Sequence, residues 1–167
     1  MKVNRAWAMP NKYTFKIKPI AELLKRYEVG DLWADPFCGE SSLCQYRNDL
    51  NPENQYAITN LKSTDFLKAL AGDFLNGVVF DPPYSPRQIS ECYKSIGLKV
   101  NKKDTQNQWT EDKKQISRIL KKDGIVITFG WNSNGMGKKY GFEIIEILLV
   151  AHGSAHNDTI CTVERKL

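Results

Sequence analysis

Gly77-Val78-Val79-Phe80-Asp81-Pro82-Pro83-Tyr84 decides the fold class. Its first four residues are a compact apolar run that reads as a buried strand. The strand ends on a carboxylate. Pro82 and Pro83 then stop it, because proline fixes φ and removes an N–H donor from the ladder. The local backbone therefore offers carbonyl acceptors without competing donors, with a carboxylate before them and an aromatic ring after them.

Working outward, strand-like and helical segments alternate. Ile20–Tyr27 places Ile20, Leu23, Leu24 and Tyr27 on one helical face. Asp31–Asp35 is a short strand-like run ending on an acid and Pro36, and Tyr46–Leu50 and Tyr56–Leu61 read as two more. Asp65–Ala71 reads as a helix capped by Thr64 or Asp65. Pro86–Ile96 is predicted helical, with Pro86 in its first turn. Asn101–Gln108 is polar, lacks periodicity and reads as a loop. Thr110–Leu120 is a predicted helix ended by Lys121–Gly124, and Ile125–Phe129 a buried strand. Trp131–Gly141 contains three glycines and reads as irregular. Phe142–Ala151 and Thr159–Val163 are strand-like and joined by His152–Asp158, which predicts an antiparallel hairpin. The alternation indicates an α/β domain with a mostly parallel sheet, made mixed by that hairpin.

The 167 residues suit one domain, 1–167, and leave little room for a second module. Charged residues make up 26% and hydrophobic ones 41%, which argues against disorder. No apolar run is long enough to span a membrane, and no apolar segment follows the basic start Met1–Arg5. Cys38, Cys44, Cys92 and Cys161 form no zinc-type spacing and read as free, buried thiols of a cytoplasmic protein. His152 and His156 stand four apart, but between strand-like runs rather than on a helix, so a hairpin-loop role is expected and no metal.

The net charge of +5 is unevenly distributed. Residues 1–30 hold seven Lys/Arg and two Glu, residues 31–60 one Arg and five acids, and residues 101–123 seven Lys/Arg and four acids. Basic runs around an acidic segment fit a polyanion outside and a cationic ligand inside. Three predicted strands end on or beside an acid, at Asp35, Asp49 and Asp81, and Asp65 starts a helix after the third of those runs. In open α/β sheets ligands bind outside the strands' carboxyl ends. Carboxylates there hold a ribose diol and offset an ammonium or sulfonium charge. No phosphate-cradling glycine motif is present, which favours S-adenosylmethionine over NAD or ATP.

Asp81–Tyr84 suits an exocyclic amine on a planar ring. The Asp81 carboxylate and Pro82 carbonyl accept its two hydrogens and localise the nitrogen lone pair, while Tyr84 stacks on the base.

These residues resemble the class I S-adenosylmethionine-dependent amino-methyltransferases of the DPPY type, chiefly the DNA adenine-N6 enzymes. Asp81-Pro82-Pro83-Tyr84 is similar to the family's catalytic motif, and Asp35-Pro36-Phe37-Cys38-Gly39 to its cofactor motif. The resemblance implies a Rossmann-like, seven-stranded, mostly parallel sheet with a C-terminal antiparallel hairpin and helices on both faces. It further implies that Asp49 holds the ribose hydroxyls, that Asp65 and Phe66 lie beside the cofactor's adenine ring, and that the segment Thr14–Ile20, with Lys18-Pro19, lies near its methionine end. Trp131 and Asn132 fall where the family's active-site wall stands, and Arg87, Lys102, Lys103, Lys113 and Lys114 flank the catalytic loop as candidate phosphate contacts.

Two departures stand out. Glu40-Ser41-Ser42 replaces the family's second glycine, and eleven residues between Gly39 and Asn51 leave little room for a helix there. Only 46 positions separate Asp35 from Asp81, too few for a target-recognition domain. Ser85–Trp109 and Trp131–Gly141 are the remaining candidates for contacting the target, or else a homodimer or a specificity partner supplies recognition. The expected partner is nucleic acid, DNA more than RNA. The alternatives are an RNA adenine-N6 enzyme, a DNA cytosine-N4 enzyme, and a catalytically weak nucleic-acid-binding module with the same fold.

Overall fold

The computed structural model describes residues 1–99, 109–153 and 156–167. The predicted loop Asn101–Gln108, with Lys102 and Lys103, lies outside the described residues. The strands are β1 (Lys2–Trp7), β2 (Trp33–Asp35), β3 (Tyr46–Arg47), β4 (Leu75–Phe80), β5 (Leu120–Gly130), β6 (Phe142–Ala151) and β7 (Thr159–Lys166). The helices are α1 (Lys18–Arg26), α2 (Ser63–Ala69), α3 (Pro86–Ser95) and α4 (Thr110–Ile119).

The strands form one seven-stranded sheet in the order β1-β6-β7-β5-β4-β2-β3. β7 alone is reversed: it pairs antiparallel with both β5 and β6, and every other pairing is parallel. The strand order switches direction between β2 and β4, which lie side by side although β3 and α2 separate them in the chain. That is where an open α/β sheet leaves a crevice for a ligand, and Asp35 and Asp81 stand at its two lips.

Alternation along β4 builds two cores. Val79 joins Ile20, Leu23 and Leu24 of α1 on one face. Val78 and Phe80 join Phe66 and Leu67 of α2 and Ile116 and Ile119 of α4 on the other. Helices therefore cover both faces, as expected. No described helix is long and apolar enough to cross a membrane.

Several expectations need correction. Tyr56–Leu61 is not a strand; it makes an isolated bridge, Asn48 to Thr59, and turn-like hydrogen bonds to Arg47 of β3 instead of a ladder. Its polar groups close a turn around the buried Asn48 side chain, which accepts from Thr59 Oγ1 and the Leu61 N–H and donates to the Pro36 and Leu61 carbonyls. Ile58 is exposed, so the run has no apolar face to bury. The seventh strand is instead β1, which follows β6 in parallel along the far edge. Asn4 of β1 and Arg26 and Tyr27 at the end of α1 all donate to the buried Glu146 of β6. Side chains on most of β1 are exposed, so it shows no core-facing alternation in the sequence.

Helix α2 starts at Ser63 without a side-chain cap. The Ser63 and Thr64 hydroxyls instead donate to Asp112 of α4, tying the two helices together. Helix α4 ends at Ile119, and Leu120 already pairs with Leu75. Lys121–Gly124 form a bulge inside β5 where Asp123 turns left-handed at φ 63°. A Cβ on Gly124 would lie 2.8 Å from the Lys121 carbonyl, so the bulge requires glycine. Cys38, Cys44 and Cys161 are buried free thiols, whereas Cys92 is exposed. His152 is buried, with its ring nitrogens against the Ala8 carbonyl and Thr159 Oγ1.

Candidate active site

Two cavities open at the carboxyl edge of the sheet. The first holds about 650 Å³ and is lined by Thr14, Phe15, Lys16, Phe37, Gly39 and Asp81, among others. The second holds about 460 Å³ and is lined by Pro82, Pro83, Tyr84, Trp109, Trp131 and Asn132, among others. Both are within the range of small-molecule sites. Asp81-Pro82-Pro83-Tyr84 is their common wall: its first residue faces one cavity and its other three face the second.

β2 delivers Asp35 to the crevice and buries it. Its Oδ1 accepts the Phe37 N–H at 3.0 Å. Its Oδ2 is buried without a hydrogen-bond partner. Burial, with the nearby Asp81 and Asp49 carboxylates adding, pushes the Asp35 carboxyl up to about 8, against the Phe37 N–H and Arg47. A buried, unpartnered carboxyl oxygen is costly, so a site that keeps one invites a cationic or hydrogen-bonding ligand.

Burial likewise raises Asp81 above the ordinary carboxylate range, while the Tyr84 and Thr14 side chains hydrogen-bond to it and hold it back. The Tyr84 hydroxyl donates to Asp81 Oδ1. That contact orients the Tyr84 ring edge-on to Trp131, with centroids 5.6 Å apart. In the first cavity, Gly39 takes a left-handed φ of 50° and its N–H donates to Asp49 Oδ2 at 3.1 Å. The other Asp49 oxygen accepts the Asn51 N–H at 2.8 Å. Asp49 thus braces the turn after β2 rather than lining the cavity.

The remaining predicted site residues are dispersed. Phe37 and Gly39 line the first cavity, and Pro36 is buried behind them. Lys18 is exposed and Pro19 half-buried in the first turn of α1, outside both cavities. Their neighbours Thr14, Phe15 and Lys16 reach the first cavity in their place. Asp65 is exposed, and Phe66 is packed in the α2–α4 core. Arg87 is exposed and paired with Glu91 at 2.8 Å, and Lys114 pairs with Glu111. Trp131 and Asn132 line the second cavity.

Two further residues line the second cavity in ways the sequence did not specify: Trp109, expected only as the end of the loop Ser85–Trp109, and Lys113, expected as a phosphate contact. Trp109 stacks edge-on against Phe37 and Phe80, and Lys113 lies half-buried in the same wall. A tryptophan closing a polar run carries no pattern that places its ring in a cavity wall, and a basic run does not tell which lysine turns inward, as Lys113 does toward the Gly135 carbonyl. The Thr14 contact to Asp81 was equally hidden, because the two residues are far apart in sequence.

No family model matches the sequence, and no curated protein matches it either. Solved structures match its fold. TrmN from Thermus thermophilus superposes with a TM-score of 0.59 over 90% of this chain and 49% of its own, at 14% identity. The chain therefore spans about half the length of TrmN. N-methyltransferase NodS from Bradyrhizobium japonicum, solved in complex with S-adenosyl-l-homocysteine, superposes with a TM-score of 0.51 over 93% of this chain and 89% of its own, at 11% identity. The chain has the methyltransferase fold. At such identities the likeness concerns architecture alone.

Proposed function

We propose that the chain transfers a methyl group from S-adenosylmethionine to the exocyclic N6 amine of adenine in DNA. The observation that carries this reading is the common wall Asp81–Tyr84 between the two cavities. Methyl transfer needs a donor site and an acceptor site meeting at one point, and this wall supplies that point.

The first cavity fits the cofactor: it is lined by Asp81 and by the turn Phe37–Gly39, which directly follows Asp35 and its unpartnered oxygen in the chain. Asp35, Phe37, Gly39 and the segment Thr14–Lys16 would hold S-adenosylmethionine, with Asp49 acting through Gly39. When bound, it supplies an electrophilic methyl group on a sulfonium. The binding of S-adenosyl-l-homocysteine by NodS supports the choice.

The second cavity takes the base. Tyr84, Trp109 and Trp131 provide aromatic surfaces on which a planar ring stacks. The Asp81 carboxylate and Pro82 carbonyl accept the amine's two hydrogens and turn its lone pair toward the donor. Asp81, raised by burial, receives the proton that the methylated nitrogen sheds. A base in a duplex reaches this cavity only by leaving the stack, at a cost of a few kcal/mol. Nucleic acid is therefore the proposed partner, approached across the exposed basic residues Lys2, Arg5, Lys12 and Lys16. A homodimer or a specificity protein would supply any long recognition sequence.

The test is transfer from labelled S-adenosylmethionine to adenine-containing oligonucleotides. Label on DNA adenine supports the reading, label confined to RNA or to cytosine transfers it to another substrate, and no label on any nucleic acid overturns it.

A further inference from the structure

Glu164 on β7 is a fully buried carboxylate that the proposed chemistry does not use. Its oxygens are aimed at the segment that follows β5. Oε2 accepts the Met136 N–H at 2.5 Å and Oε1 the Gly137 N–H at 2.8 Å. From α4, the Lys113 ammonium donates to the Gly135 carbonyl. Three consecutive residues are thus gripped by an anion from the sheet and a cation from a helix.

The fit leaves no slack. Gly135 has a φ of 51°, and a Cβ there would lie 2.2 Å from Glu164 Oε2. Met136 is itself buried in the α2–α4 core. Burial pushes the Glu164 carboxyl up, and the two N–H groups and Lys113 hold it back. A buried charge is expensive, and an uncharged turn would close this segment at lower cost. What the gripped residues support is Trp131–Gly135, which supplies Trp131, Asn132 and Asn134 to the second cavity.

We propose that Glu164 is a positioning residue of the acceptor site: through Met136 and Gly137 it fixes the Trp131–Gly135 wall and so sets how tightly the base is held. It does this without touching substrate. The proposal rests on reading the second cavity as the acceptor site. A donor–acceptor grip from two elements gives the wall the rigidity that preorganised sites need.

Glu164→Gln tests it, because it keeps size and one acceptor oxygen but turns an amide donor toward a backbone N–H. Three quantities are measured on the full chain: amide exchange at Met136 and Gly137, the KM and kcat for an adenine-containing oligonucleotide, and the dissociation constant of S-adenosylmethionine. The expected result is amide exchange and KM each raised about tenfold, with kcat and cofactor affinity within about twofold of the parent. Glu164→Asp, which keeps the charge but shortens the reach, moves KM in the same direction by less. It carries the same measurements if the Gln variant does not fold. Faster exchange with unchanged KM makes Glu164 a stability residue and overturns the proposal. So does an equal loss of cofactor and oligonucleotide binding. If the parent chain binds the oligonucleotide but transfers nothing, the methyl-transfer reading falls, and oligonucleotide affinity replaces KM in testing the wall. If the parent neither transfers to nor binds nucleic acid, the acceptor-site reading and this proposal fall together.

Discussion

Asp35 and Asp81 are neighbouring acids given different tasks by their partners. Asp35 keeps one oxygen without a partner, whereas Asp81 is met by Tyr84 and Thr14. The first consequence is a dependence of stability on pH. The Asp35 carboxyl titrates near 8 in the folded chain against an ordinary 3.8. The unfolded chain thus loses this proton near pH 4, while the folded chain keeps it until about pH 8. The favourable contribution is complete below pH 4 and is lost as pH rises toward 8. Asp35→Asn should therefore flatten the fall in Tm between pH 5 and 8, as followed by thermal denaturation. Parallel curves for the two proteins would show an ordinary, ionised Asp35. The second consequence concerns chemistry: Asp81→Ala should lower transfer by at least about a hundredfold while cofactor affinity stays nearly unchanged. Calorimetry with S-adenosylmethionine beside a transfer assay separates these, and lost cofactor binding would mean that Asp81 serves the first cavity alone. Both acids were legible in the sequence, because strand ends on carboxylates are a pattern. Asp49 was legible as an acid near the site but not as the brace of Gly39, since a hydrogen bond from a backbone N–H leaves no mark on residue spacing.

The crevice depends on how closely β2 and β4 approach. Trp33 and Gly77 are register partners, and the Trp33 ring lies over Gly77 so that a Cβ would sit 2.5 Å from ring atoms. Gly77→Ala should destabilise the chain by about 1–3 kcal/mol, read as a lower urea midpoint at unchanged slope. An unaltered midpoint would mean that the ring gives way freely. Gly77 was visible in the apolar run, but its reason was not, because the ring that needs the space comes from another strand. Elements with a buried face were legible: β4, the apolar part of β5, β6, β7 and the helices α1, α3 and α4 follow their hydrophobic patterns. β1 and the Tyr56–Leu61 turn were not. The first is an edge strand with little to bury, and the second is held by the Asn48 side chain rather than by packing.

At the scale of the molecule, the +5 charge resolves into used and unused parts. Around α4, Lys113 is drawn into the second cavity and Lys114 is paired with Glu111. Lys12 and Lys16 are exposed residues that line the first cavity, their ammonium groups 4.5 and 4.4 Å from the Tyr13 ring centroid. If they meet phosphates, oligonucleotide affinity should fall steeply with salt, and the double change Lys12→Gln, Lys16→Gln should reduce the slope of log K against log salt by about 1–2. An unchanged slope would place the phosphates elsewhere. The central claim is methyl transfer at the wall shared by the two cavities. Its most direct test is mass spectrometry of nucleosides after the purified chain has been incubated with S-adenosylmethionine and a mixture of DNA and RNA. The expected result is N6-methyladenine in the DNA, absent when Asp81 is replaced by Ala. Nucleosides without added methyl groups, from a chain that binds the cofactor, would contradict it.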